Sequence, residues 1–322
     1  EEYLNDQNYW DYIIAHELAH HWFGDLVTAE SWANLTVNES FANYSEYLWI
    51  AHKQGKDAAD YHLLNDTQDY HKRPDDFKKN LVRFDYLLTD DMFDAVSYNK
   101  GGAILHMLRR YLGDAAFFQG ITDYLKAHEY STGEAHQLRL SWEKISGKDL
   151  SWFFDQWYFG HGNPTVKVEK EYNAAKKQLE VKITQLQGED LYFQFPLDIY
   201  QDNKPTRHTV WVRAQQENVF TFSENKAPVL VNINPEGVIV MQEQYPKTTK
   251  EYLHQVQYAP DLKSRLEAII SQEAGQGKEV IMAALKDPYF MIRKIALEFL
   301  EGYQLTKKDL AQVEKMATSD PE

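Results

Sequence analysis

The chain has 322 residues, of which 43% are hydrophobic and 14% aromatic, so it can bury a sizeable core and should hold two or three domains. Its formal net charge of -15 argues against a nucleic-acid backbone or an anionic membrane surface as the main partner. There is no cysteine, which excludes a disulfide framework and a thiolate metal site. No apolar run is long enough to predict a membrane-spanning helix.

The first motif that carries chemistry is HELAH, within the segment IIAHELAHHW at residues 13–22. Its apolar residues recur at helical spacing, which predicts a helix that packs against other protein and places His16 and His20 one turn apart on one face. A lone pair of this kind is more often two core histidines, but the full HExxH pattern is typical of zinc proteases. Two imidazoles, a third protein ligand and a water would complete such a site, with Glu17 placed to accept a proton from the water.

The third ligand should be a carboxylate or histidine on a neighbouring element. Eighteen residues separate His20 from Glu39, which lies in TVNESFANYSEYLWIAH. Apolar residues recur at helical spacing through residues 37–48, so Glu39 is predicted on a second helix that can run back beside the first. A helical glutamate is usually solvated, but one that is flanked by Trp32, Phe41 and the first helix would be buried without a partner. A zinc ion would remove that penalty.

The two segments HELAHHWFGDLVT and VNESFANY resemble the gluzincin metallopeptidases of the aminopeptidase N family, in which HExxH is followed by eighteen residues and then glutamate. The resemblance implies that His16, His20 and Glu39 bind one zinc ion per chain and that Glu17 is the general base. It also implies peptide substrates. Ser40 stands where the family commonly has glycine.

A further segment, DAVSYNKGGAILHML, is similar to the family pattern Y.KGA..L..L. The resemblance implies that Tyr98 donates a hydrogen bond to the oxyanion that forms during hydrolysis, a role for which a phenol close to the metal is suited. Taken alone, Tyr98 would more often be a packing residue next to the helix that begins near Lys100.

The family also carries a G.MEN segment, whose glutamate grips the free amino terminus of the substrate. Only fifteen residues precede His16, and they contain no such motif. The large amino-terminal β domain of the family has no counterpart either. We therefore expect a fragment of an aminopeptidase that keeps the metal-binding segment but is impaired in activity. Residues 83–101 resemble bacterial members, in the cytoplasm, the periplasm or exported, and the oligomeric state stays open.

The predicted fold class is multidomain α+β. Residues 1–163 show helical periodicity and resemble part of a thermolysin-like catalytic domain. Residues 164–246 alternate apolar and polar side chains between turn signals, which predicts an antiparallel β-sandwich. Residues 247–322 return to helix, and KDPYFMIRKIALEFL resembles a HEAT-like repeat, so this third domain is expected to be a truncated solenoid.

Local signals predict some helix ends. Ser131 and Thr132 are predicted to cap the helix that contains HQLRLSWEKI, and Gly147 and Gly160 are predicted to follow helix ends.

Two other readings of the same residues stay open. The chain could be an inactive zinc-binding scaffold that serves as an interaction module, although such a scaffold needs neither Glu17 nor Tyr98. It could also be a related zinc hydrolase, either an endopeptidase or an epoxide hydrolase.

Overall fold

The computed structural model describes residues 10–273 and 275–319. Helices come first along the chain, strands follow, and helices return at the end, which confirms the predicted mixture of helix and sheet. The segment before His16 is expected to lack the anchor for the substrate's amino terminus, and its residues 1–9 lie outside the described residues. Residues 320–322 of the third predicted domain also lie outside them. Among the described helices, none combines the length and the apolar character that crossing a bilayer requires.

The first part of the chain is mostly helical. Its helices are α1 (Asp11–Ala19), α2 (Thr36–Lys53), α3 (Lys56–His71), α4 (Gly101–Leu112), α5 (Asp114–His128), α6 (Ala135–Ser146) and α7 (Ser151–Trp157). Two short strands, β1 (Val27–Ala29) and β2 (Ser131–Gly133), pair in parallel. Single turns of 3-10 helix cover Trp32–Asn34, Pro74–Lys78 and Thr89–Met92, and a π-helical turn covers Val96–Lys100.

Helix α1 packs on α2 along one side only. Ala19 and Phe23 are buried on that side. An outer row faces away from this side: Ile14 and Leu18 on α1 and Trp22 just after its end are about half exposed, at 53%, 52% and 53%. The prediction of a helix at this position is confirmed, but its packing is one-sided because the outer row faces away from the described part of the chain.

The predicted caps near residue 131 are wrong. Ser131 and Thr132 pair with Val27 and Thr28 in the two-stranded sheet, so their backbone groups serve strand pairing rather than a helix end. Helix α6 instead begins after Glu134, whose N–H donates to Gln137 Oε1 at 2.9 Å. The predicted stop at Gly147 is confirmed, because this residue ends α6 with a φ of +68° that glycine adopts without strain. Helix α7 ends at Trp157, before Gly160.

The second part of the chain forms two sheets. Its strands are β3 (Thr165–Asn173), β4 (Gln178–Gln185), β5 (Phe193–Tyr200), β6 (Pro205–Val212), β7 (Glu217–Ser223), β8 (Leu230–Ile233) and β9 (Gln242–Gln244). One sheet has the order β7-β4-β3-β9 and the other β6-β5-β8. Alternate residues of β3 and β4 are buried, as the period of two predicts.

One strand pair departs from the predicted antiparallel pattern. Strand β9 runs parallel to β3, with Thr165 opposite Gln242. The chain leaves β8 in the three-stranded sheet, passes through a 3-10 turn at Pro235–Gly237, and joins the edge of the four-stranded sheet. Because β9 has only three residues and pairs with a strand far back in the sequence, its direction is set by this crossover rather than by a hairpin.

Two apolar cores hold these elements. The larger one is continuous from the helices to both sheets, and it includes Phe41 and Trp142 together with Val181 and Phe195. The smaller core lies among the C-terminal helices α8 (Thr249–Tyr258), α9 (Leu262–Ile270), α10 (Lys278–Ala284), α11 (Phe290–Leu300) and α12 (Lys307–Ser319). Ion pairs from Arg265 to Asp57 and to Asp287 connect α9 with the start of α3 and with the turn before α11.

The contact between α5 and α6 yields a stability prediction. A Cβ at Gly120 would lie 2.1 Å from Cδ1 of Trp142, which is fully buried and donates its indole N–H to the Phe117 carbonyl at 2.9 Å. Gly120→Ala should lower the free energy of unfolding by about 1–3 kcal/mol in urea denaturation, despite the helix propensity of alanine. Gly188→Ala is the control, because a Cβ there meets nothing within 4 Å. Equal midpoints for both variants would contradict the prediction.

Candidate metal centre

The predicted ligands come from two packed helices. Helix α1 carries His16 and is followed by His20 at its end, and the first turn of α2 carries Glu39. Each residue offers a ligand atom within 4.8 Å of the other two. We call His16, His20 and Glu39 the ligand cluster.

The carboxylate of Glu39 lies between the two imidazoles. Its Oε2 atom is 3.4 Å from His16 Nε2 and 3.5 Å from His20 Nε2. Glu39 is only 7% exposed, and its Oε2 accepts no hydrogen bond from the residues that the structure describes. A buried carboxylate oxygen in this state is costly unless a cation lies beside it.

The other ring nitrogen of each histidine is held in place. His16 Nδ1 lies 2.7 Å from Glu46 Oε1, and His20 Nδ1 lies 3.0 Å from the carbonyl oxygen of Phe23. Since both partners are acceptors, each Nδ1 carries a hydrogen, and in the neutral ring each Nε2 has a lone pair that a metal ion beside Glu39 could accept. Metal-binding histidines are commonly oriented in this way.

The side chains of the cluster shift one another's pKa values. Burial disfavours a charged His16, but the carboxylates of Glu39 and Glu46 outweigh burial and raise the pKa of His16 to about 9. Burial would also raise the pKa of Glu39, yet the neighbouring His16, His20 and Tyr98 side chains lower it to about 2. Glu39 therefore stays ionised and attracts positive charge. Two imidazole nitrogens and one carboxylate oxygen are a donor set that fits zinc, with a coordination position left for water.

Tyr98 lies against the ligand cluster, and the charge of Glu17 influences the pKa of Tyr98. The Tyr98 ring stacks on the His16 ring, with centroids 5.8 Å apart and planes 4° from parallel. Burial raises the pKa of Tyr98, and the charges of Glu39 and Glu17 raise it further. Glu17 itself is exposed on α1. Tyr98 lies in the π-helical turn before α4, a distortion that is frequent at functional sites.

Ser40 connects the ligand-bearing helix to the turn that carries Tyr98. Its hydroxyl donates to the carbonyl oxygen of Ser97 at 2.7 Å and lies 2.6 Å from Thr36 Oγ1. Gly101 leaves room for it, because a Cβ at Gly101 would approach Ser40 Oγ to 1.9 Å. The residue that departs from the family pattern therefore makes a buried contact that glycine could not make.

Glu46 was not predicted from the sequence. It lies seven residues after Glu39, about two turns further along the same side of α2, and it is buried. That spacing was the available signal, but a helical glutamate is solvated by default.

The chain is similar to known proteins. Residues 2–157 match the family model of the Peptidase family M1 domain. The resemblance to the aminopeptidase N family is thus confirmed.

The relatives are aminopeptidases of greater length. The chain is 31% identical over 231 residues to a leucyl aminopeptidase of Saccharolobus solfataricus, a match that covers 70% of this chain and 29% of the relative. It is 35% identical over 175 residues to aminopeptidase N of Lactococcus lactis, covering 49% of this chain and 19% of the relative. The chain therefore spans less than a third of the length of these relatives.

One solved structure shows the same fold. Legionella pneumophila aminopeptidase A, solved in complex with aspartic acid, superimposes with a TM-score of 0.70 and covers 97% of this chain and 34% of that chain. The sequence identity is 21%, so the comparison speaks for the fold alone.

The Ser40 contact can be tested by removing one oxygen atom. Ser40→Ala should lower the free energy of unfolding by about 1–3 kcal/mol in urea denaturation, because the buried Ser97 carbonyl loses the hydrogen bond from this hydroxyl. Ser45→Ala is the matched control on the same helix, since Ser45 donates only to the Phe41 carbonyl one turn earlier. The prediction fails if the two variants lose the same small amount of stability.

The buried Lys100 gives a prediction about pH. Burial, with a contribution from Arg83, lowers its pKa to about 7, and Nζ has no hydrogen-bond partner among the described residues. The unfolded chain keeps this proton up to about pH 10.5, so it binds more protons than the folded chain between these values, and stability should rise with pH there. Lys100→Met should raise the free energy of unfolding near pH 7 and flatten that rise, measured by urea denaturation at several pH values.

Exposed Lys78, whose side chain is 80% exposed, provides the control for this pH series. Lys78→Met should leave the slope of stability against pH between 7 and 10 unchanged. A Lys100→Met variant that unfolds at lower urea than the parent at pH 7 would show that the buried amine is stabilising.

Proposed function

We propose that the chain carries the zinc centre of a metallo-aminopeptidase, which removes amino-terminal residues from peptides. The observation that carries this proposal is the buried Glu39 oxygen between two imidazoles whose other nitrogens are anchored. The match to the Peptidase family M1 domain and the similarity to a leucyl aminopeptidase and to an aminopeptidase N support the same activity.

The residues would share the work of hydrolysis. His16, His20 and Glu39 would hold zinc. When bound, zinc polarises a scissile carbonyl and makes a water molecule more acidic. Glu17 accepts the proton of the attacking water and passes it to the leaving amine. Tyr98 donates a hydrogen bond to the developing oxyanion, and its raised pKa keeps the phenol protonated for this purpose at neutral pH.

A large cleft adjoins the proposed centre. Its volume is about 1500 Å³, and its lining includes Tyr98, Glu46 and residues 288–291 before and within α11. Ligand pockets for small molecules commonly have volumes of about 300–1,000 Å³. The size of this cleft supports a peptide as the substrate.

The domain layout is part of the proposal. We infer a partial catalytic domain at residues 1–163, a β-sandwich domain at 164–246 and a helical domain at 247–322. Helices α8–α12 surround their own apolar core, which supports a separate helical unit, and we propose that it is part of a HEAT-like solenoid.

The proposed function is tested by metal content and turnover measured together. Zinc, quantified by plasma mass spectrometry, should reach about one ion per chain and should be lost in Glu39→Gln. Glu17→Gln should keep zinc but hydrolyse leucyl and alanyl amides about 10²- to 10⁴-fold more slowly than the zinc-loaded parent chain, because the general base is missing.

Different outcomes contradict different parts of this proposal. A chain that takes up no added zinc would overturn the ligand cluster as a metal centre. A zinc-loaded chain without turnover would overturn the activity of this chain while leaving the centre intact. Faster cleavage of acetylated than of free peptides would favour an endopeptidase.

A further inference from the structure

A buried charged contact extends outward from the ligand cluster. Glu46 on α2 lies 2.7 Å from His16 Nδ1 through Oε1 and 2.9 Å from His62 Nε2 through Oε2. His62 is on α3, a helix that carries no residue of the ligand cluster. The contact with His16 is a hydrogen bond, whereas the contact with His62 is a close charge contact in which Nε2 forms no hydrogen bond to a described residue. One carboxylate thus contacts an imidazole at each oxygen, and only His16 is a proposed metal ligand.

His62 is itself held on several sides. Asp66, one turn later on α3, places Oδ2 at 3.8 Å from His62 Nε2. Asp66 in turn accepts hydrogen bonds from Asn43 of α2 at 3.0 Å and from Asn99, next to Tyr98, at 2.9 Å. The ring of Tyr12 on α1 lies 5.4 Å from the His62 ring. Groups from α1, α2 and α3 therefore contact the imidazole, and the π-helical turn holds Asp66 through Asn99.

The second contact constrains Glu46 in a way that one contact could not. A carboxylate with a single partner can tilt about that contact or exchange its two oxygens, whereas a contact at each oxygen restricts its plane. Glu46 is 7% exposed, so water is a poor substitute for a lost partner. The plane of Glu46 sets the direction in which His16 Nδ1 donates, and the rigid ring transmits that direction to Nε2.

We propose that His62 is a positioning residue of the metal centre, which acts through Glu46 to orient His16 Nε2 toward the metal. This inference rests on the proposed zinc centre. Outer partners of metal-binding histidines typically contribute about 10- to 100-fold to metal affinity. His62 is one step further out, so its effect should appear only while Glu46 is present.

The test measures zinc affinity of the whole chain by competition with a chromophoric chelator. His62→Ala should weaken binding by about tenfold, the lower end of the usual range for outer partners. His62→Gln, whose amide can still donate to Glu46, should recover part of the loss. Glu46→Gln should weaken binding, and the double variant Glu46→Gln with His62→Ala should bind as Glu46→Gln does, because the histidine then has no carboxylate to position.

A second readout reports on geometry directly. The visible absorption bands of the cobalt-substituted chain should shift in His62→Ala, because the direction of one nitrogen ligand changes. His71→Gln is the matched control: His71 is also a partly buried histidine on α3, burial alone lowers its pKa to about 4, and it forms no ion pair with a carboxylate of the described residues. It should leave both the affinity and the bands unchanged.

Each result decides the matter. Parental affinity and parental bands in folded His62→Ala would overturn the inference, as would equal losses for His62→Ala with and without Glu46→Gln. Circular dichroism of the metal-free variants identifies those that fold. If His62→Ala does not fold, the inference is overturned when both His62→Gln and Glu46→Gln bind zinc with the affinity of the parent. If the parent chain binds no zinc, or Glu39→Gln binds it equally well, the zinc centre itself fails and the inference with it.

Discussion

The structure around the ligand cluster depends on one constraint, the removal of the Glu39 carboxylate from water. An ionised carboxylate that is buried without compensation is among the most expensive groups that a fold can contain. Helices α1 and α2 pack so that two imidazoles face it, and their Nδ1 atoms are anchored on Glu46 and on the Phe23 carbonyl. The anchors lower the freedom of the histidines before any metal arrives, so little ordering is left for metal binding to impose.

Helix α2 organises this region because it carries two buried stripes. One stripe is polar and includes Glu39, Asn43 and Glu46, all at most 8% exposed. The other is apolar and includes Phe41 and Tyr44, which belong to the larger core. A helix that is buried on both stripes cannot shift without either exposing aromatic surface or breaking charged contacts. The apolar packing thereby fixes the polar geometry.

The sequence predicted the ligand cluster because its three residues have a rigid spacing within one motif. It also predicted the order of helical and strand-rich segments, since periodicity is a local property. It did not predict the strand at Ser131–Gly133 or the direction of β9, because short strands take their conformation from partners far away in the sequence. Glu46 and His62 were missed for a related reason: each is an ordinary helical polar residue until tertiary packing brings them together.

Part of the cost of this arrangement lies beside the proposed centre. Among the described residues, buried polar atoms without a hydrogen-bond partner include Asn38 Oδ1, Glu39 Oε2, Ser97 Oγ and Lys100 Nζ. All four lie in the first turn of α2 or in the π-helical turn that carries Tyr98. Natural folds tend to break local rules where function requires it and to compensate elsewhere. Here the compensation comes from the continuous aromatic core beneath the site, so a cation at Glu39 would relieve a local cost within a scaffold that other contacts already hold in place.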